Sequence, residues 1–155
     1  IADWDTGIES TKLSAVISRL KAKGWLGGTT NVTTIFIGCQ GEQDTNLGTL
    51  QAAYAASLNS VISKSRALGF SGTWFIPQAE SWYMGVAGPQ VVAGQAAVIS
   101  HGSGIWEGPN LDALVGNTCS GVACRQADNL HFSNAGAASA ATAWQTALHA
   151  FGAPF

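Results

Sequence analysis

The stretch NVTTIFIGCQGEQD, residues 31–44, decides the fold. Its first part is a short run of β-branched and aromatic residues closed by a glycine, which predicts a buried strand over 31–38. Its second part is polar and flanked by Gly38 and Gly41, a composition suited to a tight loop at the strand's carboxyl end. Helical patterns stand on either side. Residues 8–23 place Ile8, Leu13, Val16, Ile17 and Leu20 at helical spacing, with Lys21 and Lys23 in the last turn and Gly24 as the stop. Residues 47–68 place Leu50, Tyr54, Leu58, Val61, Ile62 and Leu68 on one apolar face, and Gly69 ends that helix.

The pattern continues towards the C-terminus. GTWFIPQA (72–79) predicts a second strand, with Pro77 near its rim. Pro89 suits the first turn of a helix running to about Ser100, and GIWE (104–107) predicts a third strand. Residues 108–133 read mostly as loop. Residues 134–150 read as a helix with Asn134 near its cap and Trp144 and Leu148 facing inward. Helices that alternate with short buried strands predict an α/β fold with a mostly parallel sheet. Three strands alone make a thin sheet with exposed edges. The sheet is therefore expected to continue in residues that precede this chain. The start, IADWDTG, has neither Met nor signal-peptide architecture, which suits a removed leader or the later part of a longer polypeptide.

Bulk composition narrows the function classes. The 155 residues are 46% hydrophobic and only 10% charged, with a net charge of −2. That balance makes no electrostatic case for nucleic acid. No Lys/Arg cluster offers a contact for an anionic membrane surface, and no apolar run approaches the ~20 residues of a membrane helix. Cys119 and Cys124 flank the short segment SGVA and suit a small disulfide, which implies an oxidising compartment and so a secreted, periplasmic or extracellular setting. Two unrelated buried thiols are the alternative. Cys39 is left over, as a buried thiol or a link to another chain.

In an open α/β sheet, sites form at the carboxyl ends of the strands. Gln40 there offers an amide donor, and Glu42 and Asp44 offer carboxylates; the plainer reading is a strand-to-helix turn with capping carboxylates. In DNLHFS (128–133), Asp128 stands three residues before His131 and could fix the tautomer of its ring. His101 sits in a turn and His149 near a helix end, and neither stands in such a sequence context. Trp82 and Tyr83, in the loop after the second strand, could stack on a sugar ring or could pack the loop down.

Taken in order, these segments resemble the SGNH (GDSL-like) hydrolase superfamily, in its carbohydrate or sialate O-acetylesterase branch. GCQGEQD (38–44) is similar to that branch's third block, Trp-x-Gln-Gly-Glu-Ser-Asp, and DNLHFSNAG (128–136) to its fifth, Asp-x-x-His before a helix. IADW (1–4) resembles the tail of the second block, and Gln95 falls where the branch often has a Gln on the helix before the final strand. The resemblance implies a flavodoxin-like three-layer α/β/α fold, with residues 1–155 forming the C-terminal part of one esterase domain. It implies removal of acetyl groups from a carbohydrate without metal or other cofactor. His131 would be the general base to a Ser, Asp128 its orienting acid and Gln40 an oxyanion donor. Glu42 would hold the turn or replace Asp128 as acid partner. Gly41, Trp82 and Tyr83 would contact substrate.

The block that supplies the nucleophile, Gly-Asp/Gln-Ser, is absent. Ser71 and Ser103 lie between glycines but form no Gly-x-Ser-x-Gly elbow, and Ser120 falls in the proposed disulfide loop. The serine is therefore expected from a preceding segment or companion chain. A non-catalytic carbohydrate-binding or partner-binding domain of the same fold is the alternative.

Overall fold

In the computed structural model, which describes residues 1–26 and 33–151, the opening stretch forms strand β1 (Ile35–Ile37) and helix α3 (Glu42–Leu47), joined by the glycine-flanked loop. The beginning of the predicted strand, residues 31–32, lies outside the described residues. Ahead of β1 come α1 (Ala2–Thr6) and α2 (Ile8–Ala22). After α3 follow α4 (Gln51–Ala67), β2 (Thr73–Ile76), α5 (Pro89–Val98), a 3-10 turn at His101–Ser103, β3 (Ile105–Glu107) and α6 (Asn134–Ala150). The chain is thus a mixed α/β structure on a small parallel sheet in the order β1-β2-β3. Phe36 pairs with Trp74, Phe75 with Trp106, and Ile76 with Glu107.

Strand side chains alternate between faces, and this alternation divides the core. Trp74, Ile76 and Ile105 join Leu13 and Ile17 of α2, Tyr54, Leu58, Val61 and Ile62 of α4, and Val91 and Val98 of α5 in one buried cluster. Phe75 and Trp106 face the other way and meet Phe151, at the end of α6, edge-on at 5.2 and 4.9 Å. That side is more loosely filled. Trp144 and Leu148 are only half-buried there, and a cavity of about 480 Å³ lies between α6 and the ends of β2 and β3.

Both predicted glycine stops are Schellman caps. Gly24 (φ 70°) and Gly69 (φ 104°) take the left-handed conformation that a Cβ would strain. Beyond them Trp25 N–H donates to Leu20 O and Phe70 N–H to Ser65 O, closing each last turn. The helix predicted over 47–68 is α4 and starts only at Gln51: Leu47 is instead the last residue of α3, which Gly48 (φ 66°) closes. Leu50 therefore stands outside the helix and is 66% exposed, not part of the apolar face. Ile8 and Val16 are also exposed, so the buried stripe of α2 is narrower than the spacing predicts. Ser133, rather than Asn134, caps α6, its hydroxyl accepting from Gly136 N–H.

Among the described residues neither outer edge of the sheet carries a further strand. On the β1 side, Ile37 is 43% exposed. An apolar cavity of about 230 Å³, whose walls include Trp4, Phe36, Gly38, Gln40 and Leu58, opens beside β1.

Candidate active site

Three loops meet at the carboxyl ends of the strands, and buried side chains from the helices fasten them. Gln95 of α5 is fully buried. Its Nε2 donates to Gln40 O and Glu80 O at 3.0 Å each, and its Oε1 accepts from Glu80 N–H. Tyr54 of α4 donates its phenol proton to the same Gln40 carbonyl at 2.6 Å, and burial pushes that phenol well above its ordinary range. Asp112, after β3, accepts from Ser81 and Trp82 N–H through Oδ1 and from the Ser81 hydroxyl through Oδ2. The loop after β1 is thereby tied to the loop after β2, and that loop to the one after β3.

Gly41 shows how close the loops come. A Cβ at this position would lie 1.7 Å from the Glu80 carbonyl oxygen, a backbone atom that cannot swing aside. Gly41→Ala is expected to destabilise the fold by about 3 kcal/mol, as overpacking against backbone does. A urea midpoint equal to that of the wild type would show that the loops are not packed in this way.

Residues 108–133 form the lid over this edge, and Arg125 organises it. The side chain is 7% exposed. Its Nε donates to Leu114 O, Nη1 to Leu130 O and Nη2 to Leu111 O, and its guanidinium lies 3.9 Å from the centre of the Phe132 ring. Cys119 and Cys124 are joined in a disulfide. The Cys124 carbonyl accepts from Ser133 N–H, so the bridge anchors the segment that carries His131. Closing so short a loop restricts the unfolded chain by about 2 kcal/mol. Cys119→Ser with Cys124→Ser is expected to lower stability by about that amount. A denaturation midpoint unmoved by reductant would contradict it.

Asp128 and His131 form a pair on this lid. His131 Nδ1 lies 2.7 Å from Asp128 Oδ2, while Asp128 Oδ1 accepts from Leu130 and His131 N–H. Asn129 between them adopts φ 52°, which an asparagine tolerates better than most residues. The bond to the imidazole, followed by the two backbone N–H bonds, holds the Asp128 carboxyl down at about 2. The carboxylate selects the tautomer with its proton on Nδ1 and leaves Nε2 as the basic nitrogen. Asp128, not Glu42, is thus the hydrogen-bonded partner of His131.

A cavity of about 340 Å³ lies beside this pair, its wall including Glu42, Glu80, Tyr83, Arg125, His131 and Phe132. Burial, then the neighbouring Glu42 charge, raises the Glu80 carboxyl to about 8. Asp44 is buried and accepts from Gln40 Nε2, the Thr49 hydroxyl and the Ile1 nitrogen. The Gln40 amide turns towards Asp44 and the apolar cavity beside β1, so Gln40 and His131 do not share a cavity. Trp82 donates its indole N–H to Asn129 O and so packs the lid, while Tyr83 lines the cavity. Cys39 is a free thiol on an exposed residue. Burial of the thiol group itself, then the Glu80 carboxyl beside it, pushes it far up, against a smaller opposing pull from Trp144. His101 stacks on Trp106 at 3.9 Å and bonds to Glu107.

Among the described residues no serine lines the cavity beside His131. Two serines directly follow wall residues: Ser81, after Glu80, is fully buried with its hydroxyl held between Asp112 and Gly88 N–H, and Ser133, after Phe132, donates its hydroxyl to Ala123 O and caps α6. Glu80, Ser81, Asp112 and Arg125 escaped the sequence reading. The one available signal was the polar pair Glu80–Ser81 behind a strand that ends in proline. Among the described residues no three His, Cys, Asp or Glu side chains are grouped as a metal site needs, and no helix is long and apolar enough to cross a membrane. Compared with family models, with curated proteins and with solved structures, the chain matches none.

Proposed function

We propose that this chain is part of an SGNH-type serine esterase that removes O-acetyl groups from a carbohydrate, with a flavodoxin-like three-layer fold. The observation that carries the reading is the 2.7 Å Asp128–His131 bond at the carboxyl edge of a parallel sheet, beside an open cavity. A serine from a segment or chain outside residues 1–155 gives its proton to His131 Nε2 as its oxygen attacks the acetyl carbonyl carbon. Asp128 holds the ring and stabilises the imidazolium. The imidazolium then protonates the departing sugar oxygen. Water, activated by the same nitrogen, releases acetate from the acyl-serine.

Among the described residues the outer edge of β1 is unpaired, which supports the companion segment. A strand added beside β1 would cover Ile37 and the apolar cavity, and its carboxyl end would come to lie next to Gln40. The Gln40 amide is engaged by Asp44 and lines the other cavity, so an oxyanion role for it requires that amide to turn towards His131. The disulfide supports an oxidising, extracytoplasmic setting. Release of acetate from acetylated xylan or p-nitrophenyl acetate by the natural polypeptide tests the activity. The absence of a serine from the cavity wall, among the described residues, favours one alternative, a carbohydrate-binding domain without catalysis. Sugar binding with no acetate release would establish that alternative instead.

A further inference from the structure

The cavity beside His131 has in its wall a carboxyl group, that of Glu80, which the fold answers only in part, through the Cys39 thiol. Glu80 is 8% exposed, and its Oε2 is buried without a hydrogen-bond partner among the described residues. Leaving a buried polar atom unpaired is unfavourable, which points to a ligand group that completes the site. The titratable groups around it are fixed by the fold. Cys39 comes from the loop after β1, Glu42 from α3, Asp112 from the loop after β3 and Arg125 from the lid. Arg125 already donates to three lid carbonyls, with its face against Phe132, and Asp128 holds His131. Among the described residues the wall therefore offers carboxyl groups, the Gln43 amide and the Tyr83 phenol, but no cation set aside for an anionic ligand.

We propose that Glu80 is a specificity residue, binding a hydroxyl or ring oxygen of a neutral sugar, and that the cavity rejects sugars bearing a carboxylate. This rests on the esterase reading and narrows its substrate class to neutral acylated sugars. At neutral pH the Glu80 carboxyl, raised to about 8 by burial and Glu42, is protonated and donates a hydrogen bond. Above that pH it becomes a second anion beside Glu42, can no longer donate, and binding weakens.

The test is a ¹H–¹⁵N NMR titration of the natural polypeptide with methyl β-D-xylopyranoside and, separately, methyl β-D-glucuronide. The neutral glycoside is expected to shift the amides of Glu42, Glu80, Tyr83 and His131, and the glucuronide to bind at least about tenfold more weakly. Raising the pH from 6.5 to 9 should weaken neutral-glycoside binding about tenfold in the wild type, as expected for a group titrating near 8. Glu80→Gln, which keeps a neutral donor, should bind alike at both pH values. Glu80→Ala should bind about tenfold more weakly at pH 6.5, the value of one hydrogen bond. Equal or tighter glucuronide binding, unchanged binding by Glu80→Ala, or no shift at these amides with either sugar would overturn the inference. Acetate release by the natural polypeptide is scored separately. If it persists while the titration fails, only the substrate class is wrong; if it is absent, the esterase reading fails.

Discussion

Replacing His131 by Ala is expected to lower acetyl-ester hydrolysis by the natural polypeptide on the order of 10³-fold, the usual worth of a positioned general base. The side chain is 69% exposed and bonded only locally to Asp128, so its removal should leave the fold intact. Surface changes of this kind move stability by no more than about 0.5 kcal/mol. Loss of turnover at an unchanged denaturation midpoint is therefore the diagnostic combination. Asp128→Asn should act in the same direction by releasing the Nδ1 tautomer. With its carboxyl near 2, Asp128 stays ionised wherever an acetyl ester is assayed, so titration of Asp128 shapes no part of the rate profile there. Wild-type turnover in His131→Ala would remove the triad assignment.

The second large effect is on stability and follows from Glu80. Its carboxyl lies near 8 in the folded chain and has an ordinary value of 4.5. Between those values the folded state binds more protons than the unfolded state, so stability must fall as pH rises through that window. The fall should run from about pH 5 to 8, amount to at most about 5 kcal/mol, and level off above. Glu80→Gln removes the titration and should flatten the curve. Urea midpoints at pH 5, 6.5 and 8 for both proteins decide the matter. A flat wild-type profile, or the same slope in Glu80→Gln, would show that burial does not hold the proton on Glu80.

The difference between these two residues also shows what a sequence exposes. Asp128 and His131 are three positions apart, and their bond is local, so the pair was legible before any fold was known. The strands and the glycine stops were legible for the same reason. Gly24 and Gly69 each close a helix by contacts within six residues, and the apolar runs at 35–37, 73–76 and 105–107 are contiguous. Helices α1 and α3 were not legible, because five or six mostly polar residues carry no period. Glu80, Asp112 and Arg125 were hidden by topology. Each is unremarkable in its own segment and becomes part of a site only when three loops and the lid converge. Gln40 lies between these cases. Its position after a strand was readable, while its turn towards Asp44 depends on a contact one helical turn away that the pattern does not specify.

The central claim is that His131 serves a serine lying outside residues 1–155. Labelling the natural polypeptide with a fluorophosphonate, followed by peptide mapping, tests it most directly. The account predicts a single labelled serine outside this chain and loss of that labelling in His131→Ala. A label on a serine within residues 1–155, labelling that survives His131→Ala, or no labelling of the folded wild type would contradict it.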